Sequence, residues 1–205
     1  MRRRPVLVLA GAGAVLAALS ACSGTAQTGA AAVVGGQRIT VASVEAQVAD
    51  YRAAVGQATA VSFAERVGQA DPQRTLDLLI QDRVAQGALA RAGLTVTQGE
   101  IDRAEAAYQQ QFGSREALAA ALAKNVGVSP NDLDVWMRLM IAQDKLLRAA
   151  GVDPNDEAAR QAGWSKLLAA EGNRLGVKVN PRYGSWSPAA DRAIGPAAQP
   201  WLKSA

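Results

Sequence analysis

The side chains able to do chemistry in this chain are few. Among its 205 residues there is one cysteine, Cys22, and no histidine. The commonest general base at neutral pH, which is also the commonest metal ligand, is therefore missing. Carboxylates gather in two places, Asp132 with Asp134, and Asp153 with Asp156 and Glu157. Such groups suit acid–base or metal work. Each also stands where a helix is expected to begin, and there a negative side chain complements the positive end of the helix dipole. Capping is the role we assign them. No glycine-rich loop leads into a P-loop lysine, because Gly35-Gly36 falls inside an expected hairpin. No catalytic residue, metal or dissociable cofactor is expected, and the chain reads as a non-enzyme.

Cys22 is explained by what precedes it. Arg2, Arg3 and Arg4 open the chain, and an uncharged, mainly apolar run of 14 residues follows from Val6 to Leu19. Charge, a short apolar stretch and small residues before a cut site describe an export signal. The run falls short of the roughly 20 residues a spanning helix needs. Leu19-Ser20-Ala21-Cys22 resembles the lipobox of bacterial lipoproteins, whose cysteine thiol receives a diacylglycerol and whose signal is cut just before it. The resemblance implies a signal peptide over residues 1–21 and a covalent diacylglycerol on Cys22. It also implies an extracytoplasmic protein anchored to the cell membrane, or to an outer membrane if the cell has two. Two acyl chains hold stably where one is marginal. An acylated Cys22 has no thiol left for a disulfide, a metal or a nucleophilic role. The alternative is an ordinary signal peptide with a chance cysteine.

Removal of residues 1–21 leaves 184 residues, with 19 basic and 18 acidic side chains. The basic pI therefore belongs largely to the signal, and no nucleic-acid partner is indicated. Abundant alanine and few aromatics suit close-packed helices. Residues 22–31 read as a flexible tether of small and polar residues.

The elements follow from turn and cap chemistry. Around Gly35-Gly36, residues 32–39 form two β-prone pieces, and the glycine pair tolerates the positive φ of a two-residue hairpin turn. After Thr40, the residues Val41, Val44, Val48, Tyr51 and Val55 recur at helical spacing. Asp71-Pro72 signals a helix start, and Leu76, Leu79, Ile80 and Val84 give that helix its apolar face until Gly93. Thr97-Gln98-Gly99-Glu100 is a capping box opening a helix that stops at Gly113. Ser114 caps a shorter helix carrying Leu118 and Leu122, ending near Gly127. Ser129-Pro130 opens a helix over about 130–150, and Asp153-Pro154 a last one reaching Leu175. Val177–Asn180 alternates like a strand. Residues 187–205, with three prolines among alanines, read as a disordered tail. A lone hairpin is marginal in water, so the terminal strand is expected to return and pair with the first. The class is mainly α, with a small β element joining the two chain ends.

The helix over 130–150 carries the functional interest. Leu133, Trp136, Met137, Met140, Ile141 and Leu147 share one broad stripe, while Leu139 and Leu146 lie off it. A helix apolar on two sides is covered on two sides. That makes it a central core helix, or one with part of its surface lining a groove. Candidate contacts for a bound chain are Tyr108, Phe112, Trp136, Met137 and Met140.

The order of these pieces resembles the N-terminal domain of bacterial export chaperones of the SurA and PrsA type. Their opening Val-Asn-Gly-x-x-Ile-Thr is matched by Val34-Gly35-Gly36-Gln37-Arg38-Ile39-Thr40, with glycine in place of the usual asparagine. Leu78 to Val84, then Ala92-Gly93-Leu94-Thr95-Val96-Thr97 and Glu100-Ile101, follow the same pattern. Val177 to Trp186 resembles the segment closing such domains in actinobacterial lipoproteins. The likeness covers residues 32–186. Relatives often insert a parvulin prolyl isomerase of roughly 90 residues or more before the closing helix. Here only Ala150–Asp153 separates the two helices, and the histidines typical of that site are absent.

The resemblance implies a membrane-anchored helper that holds unfolded, newly exported polypeptides without prolyl isomerase activity. Flexible methionine suits such varied partners. A scaffold lipoprotein binding one folded partner would use the same apolar surface. A two-lobed small-ligand binder would need a longer chain.

Overall fold

The computed structural model describes residues 28–58, 70–189 and 192–195, with side chains for all of these except 55–58, 70 and 71. Strand β1 (Ala30–Val34) and strand β2 (Gln37–Thr40) lead into helix α1 (Val41–Ala58). Helices α2 (Ala70–Ala92), α3 (Gln98–Phe112) and α4 (Arg115–Val126) follow, then a 3-10 turn (Pro130–Asp132), α5 (Leu133–Ala149) and α6 (Glu157–Leu175). The short strands β3 (Lys178–Val179), β4 (Ser185–Trp186) and β5 (Ile194–Gly195) complete the order. The fold is mainly α with small antiparallel sheets, as the sequence predicts.

Gly35 and Gly36 turn the β1–β2 hairpin with φ of 58° and 79°, the doubly positive pair that side chains resist and glycine accepts. The other edge of β1 pairs antiparallel with β3, Ala32 opposite Val179 and Val33 opposite Lys178, for a strand order β2-β1-β3. Asn180 extends the join: its backbone N–H donates to the Ala31 carbonyl at 2.9 Å and its amide to the Ala30 carbonyl at 3.1 Å. The two ends of the domain are thereby tied, as expected.

The helix boundaries are set locally. Gly93 closes α2 with paired bonds, Gly93 N–H to Ala90 at 3.3 Å and Leu94 N–H to Leu89 at 2.9 Å. The Thr97 N–H donates to the Glu100 carboxylate at 2.9 Å, and the Ala117 N–H to Ser114 Oγ at 3.1 Å.

Two apolar clusters fill the interior. The larger joins Ala31, Val34 and Ile39 of the hairpin to the Leu76, Ile80 and Val84 ladder of α2, to Leu139, Leu146 and Leu147 of α5, and to Trp164 and Leu168 of α6. The smaller joins Ile101, Leu118, Leu122, Leu133 and Met137. Helix α5 stands between them, which is why it is apolar on two sides. Ion pairs fix its spacing from α2: Arg138 Nε and Nη2 donate to the two Asp82 oxygens at 2.9 and 3.1 Å, with Asp82 buried. A second buried carboxylate, Glu171 of α6, takes Arg91 of α2 at 2.9 Å and Arg174 of its own helix.

Four expectations are corrected. The tether read over 22–31 ends sooner, because Ala30 and Ala31 are already in β1 and buried; their small side chains fit beneath the sheet. The last helix begins at Glu157 rather than at Asp153-Pro154. Asp156 caps it by accepting the Ala159 N–H at 2.9 Å, while Asp153 holds the preceding turn through the Asn155 N–H at 2.9 Å. Residues 130–132 form a 3-10 turn before α5 rather than its first turn. The tail read as disordered from 187 contains β5, and Ala193 and Ile194 are buried in the larger cluster. Cys22, the signal over 1–21 and the tail beyond 195 lie outside the described residues.

Candidate functional site

A cleft of about 680 Å³ opens between α2, α5 and α6, within the range of ligand and peptide sites. Helix α5 presents Trp136, Leu139, Met140 and Gln143 to it, positions three or four apart on one face. Helix α2 adds Asp77, Leu78 and Gln81 from the opposite wall, and Trp164 of α6 stands at the back. One rim is the turn after α4, Asn125 to Val128. The other is the segment around β5, which contributes Arg192 and Ile194. Val126 on the first rim is 46% exposed.

A polar chain runs along the α2 wall. Trp164 Nε1 donates to Gln81 Oε1 at 3.1 Å, and Gln81 Nε2 donates to Asp77 Oδ2 at 2.6 Å. Asp77 Oδ1 accepts the backbone N–H groups of Ala193 at 2.7 Å and Ile194 at 2.8 Å. Gln73 Nε2 donates to the Gly195 carbonyl at 2.9 Å. These bonds set the tryptophan and the carboxylate in fixed orientations, leaving apolar ring and thioether surface between them. Such a cleft can bury apolar side chains, while the polar groups of its α2 wall are engaged within the protein.

The five residues proposed as contacts divide. Trp136 and Met140 line the cleft and are half-buried. Tyr108 packs edge-on against Trp136, ring centroids 5.8 Å apart at 63°, and supports that ring from behind. Phe112, 42% exposed, ends α3 away from the cleft-lining residues. Met137 is corrected: at 1% exposure it is sealed in the smaller cluster and offers nothing to a partner. One residue of helical rotation separates it from Trp136, enough to turn it inward.

The carboxylates of the first-turn groups divide too. Asp156 caps α6, and Asp134 pairs with Arg115 at 3.2 Å. Asp132 is buried, and its carboxyl is pushed up to about 6, first by burial and then by the charge of Asp50. Among the described residues no group of three or more histidine, cysteine or acidic side chains is placed to hold a metal. None of their helices is long and apolar enough to cross a membrane.

Sequence reasoning missed Asp77, Gln81, Trp164 and Ile194. Trp164 carries a local signal, since it stands four residues before the buried Leu168 on one face of α6. Asp77 carries none: it sits mid-helix, and its partners lie 116 and 117 residues away.

The family model described as SurA-like N-terminal domain matches residues 5–147. No curated protein and no solved structure matches the chain.

Proposed function

The chain belongs to the SurA-like N-terminal domain family, and from that premise we propose that it holds unfolded exported polypeptides in the cleft between α2, α5 and α6. The observation that carries this reading is the half-buried pair Trp136 and Met140, both lining the cleft from one face of α5. An unfolded chain exposes apolar side chains, and this cleft offers them apolar surface. The thioether of Met140 adapts to side chains of different shape, and the indole of Trp136 gives broad contact at little entropic cost. Holding of this kind needs neither nucleotide nor bond chemistry.

We further infer that the domain is lipid-anchored through Cys22 and works outside the cytoplasm. The support is the lipobox-like Leu19-Ser20-Ala21-Cys22 behind a charged and then apolar N-terminus. Anchoring would raise the local concentration of the cleft where polypeptides emerge.

The test is light scattering from a chemically unfolded client diluted into buffer with the protein in excess. Aggregation should fall with protein concentration, and the Trp136→Ala, Met140→Ala double variant should lose most of that effect. No suppression for any of several unrelated clients would remove the holding function.

A further inference from the structure

The C-terminal strap Arg192–Gly195 is held the way a bound peptide is held. Its backbone is gripped by side chains of α2: Asp77 takes the N–H groups of Ala193 and Ile194 on one oxygen at 2.7 and 2.8 Å, and Gln73 donates to the Gly195 carbonyl at 2.9 Å. Bonds of this kind read no side chain, but two successive N–H groups reach one oxygen only where the chain bends, as it does at Ala193, so a segment without proline at the first two positions satisfies them by taking that bend. Specificity comes from the neighbours, since Ala193 is 0% and Ile194 2% exposed. The strap also sits in a two-stranded ribbon. β5 pairs Gly195 with Ser185 and Ile194 with Trp186, and the Ser187 and Ala189 N–H groups donate to the Ala193 and Arg192 carbonyls at 3.0 and 2.6 Å; such a ribbon is marginal by itself. The strap also depends on a close approach. A Cβ at Gly184 would lie 2.7 Å from Ile194 Cγ2 and nearer still to the Gly195 carbonyl oxygen. Arg192 and Ile194 form a rim of the cleft, and the strap lies beyond the family match at residues 5–147.

We propose that Asp77 and Gln73 form a ledge for the main chain of a polypeptide bent as the strap is, and that the protein's own strap fills this ledge in cis. A client segment of a small residue, a branched aliphatic and a glycine would take the same bonds by displacing the strap. The client half of this statement rests on the holding function above; the peptide-like seating of the strap does not. An intramolecular occupant competes at high effective concentration, so releasing it should strengthen client binding about tenfold or more.

The test uses a fluorescent peptide of residues 188–198 and three chains: the wild type, Ile194→Asp in the full chain, which expels the strap without filling its seat, and a chain ending at Ser187. Anisotropy should show saturable binding to both variants, with the wild type at least tenfold weaker. Adding Asp77→Leu to either variant should abolish binding. Variants with wild-type helical circular dichroism that ignore the peptide would overturn the ledge. So would a wild type that binds as tightly as they do. Hydrogen exchange on the unaltered chain keeps the question open to refutation if the variants misfold. A saturating unfolded client should speed exchange of the Ala193 and Ile194 amides tenfold or more. Client bound with those amides unchanged would overturn the competition and leave the holding function standing. Peptide bound by the variants, with no unfolded client bound by any chain, would sink the holding function and leave the ledge.

Discussion

Replacing Gly172 by alanine sets two effects of known size against each other. Gly172 lies in the last turn of α6, where glycine to alanine ordinarily gains up to about 1 kcal/mol of helix stability. Here the new Cβ would fall 2.7 Å from Cη2 and 2.9 Å from Cε2 of Trp186, and closer to Cζ2. The helix backbone cannot yield, so the indole must leave. Its departure re-exposes roughly 100 Å² of apolar surface, which costs about 2.5 kcal/mol at about 25 cal/mol per Å². The Trp186 Nε1 bond to Asn173 Oδ1, 3.2 Å long and exposed, adds about 0.5 kcal/mol. Steric loss therefore outweighs propensity by about 2 kcal/mol. For a domain of this size that lowers the midpoint of thermal unfolding by about 4–8 °C. Circular dichroism melting reads the stability, and a red shift of tryptophan emission reads the released ring. An unchanged or raised midpoint with unshifted emission would refute the reasoning, because it would mean that Trp186 does not lie on Gly172.

Asp132 gives a pH signature. Its folded carboxyl titrates at about 6, above its ordinary 3.8, so the folded state keeps the extra proton between those values. Stability thus rises as pH falls through that window, and above it the buried charge is a full cost. Asp132→Asn should stabilise the protein by roughly 1–2 kcal/mol at pH 7.5 and erase the wild type's gain between pH 7 and 5; urea midpoints that match at pH 7.5 would contradict this. Met137→Ala should cost about 2–5 kcal/mol of stability by emptying a core site. Met140→Ala should cost less than about 1.5 kcal/mol yet weaken client binding more, and denaturation and anisotropy titrations of the two variants side by side check that split. Cys22→Ala in cells should prevent incorporation of labelled fatty acid and leave the signal uncleaved, and a variant that is still labelled and processed would end the anchoring proposal.

What the sequence made legible was local. The Gly35-Gly36 turn, the Thr97–Glu100 box, the Ser114 cap and the Gly93 closure each need only residues within a few positions of one another, so spacing reveals them. The pairing of the two chain ends was readable because a lone hairpin needs a third strand, and Val177–Asn180 alternates. The strap was not readable. Its strand is two residues long, flanked by proline, and its partner carboxylate comes from a helix 116 residues earlier. Asp153 and Asp156 illustrate a second limit. Either can cap a helix, and the choice rests on whether Pro154 begins a helix or a turn. The face of α5 was half legible: the stripe gave Trp136 and Met140, but a stripe broad enough to include Met137 cannot say where the core stops and the cleft begins.

The most direct test places a photoreactive residue in the protein at Met140, at Met137 and at Phe112 in separate chains, and illuminates each with an unfolded client. The cleft account predicts strong crosslinking from position 140 that excess unlabelled client suppresses, with little from 137 or 112. Crosslinks concentrated at 112, or equal from all three positions, would place client binding elsewhere than between α2, α5 and α6.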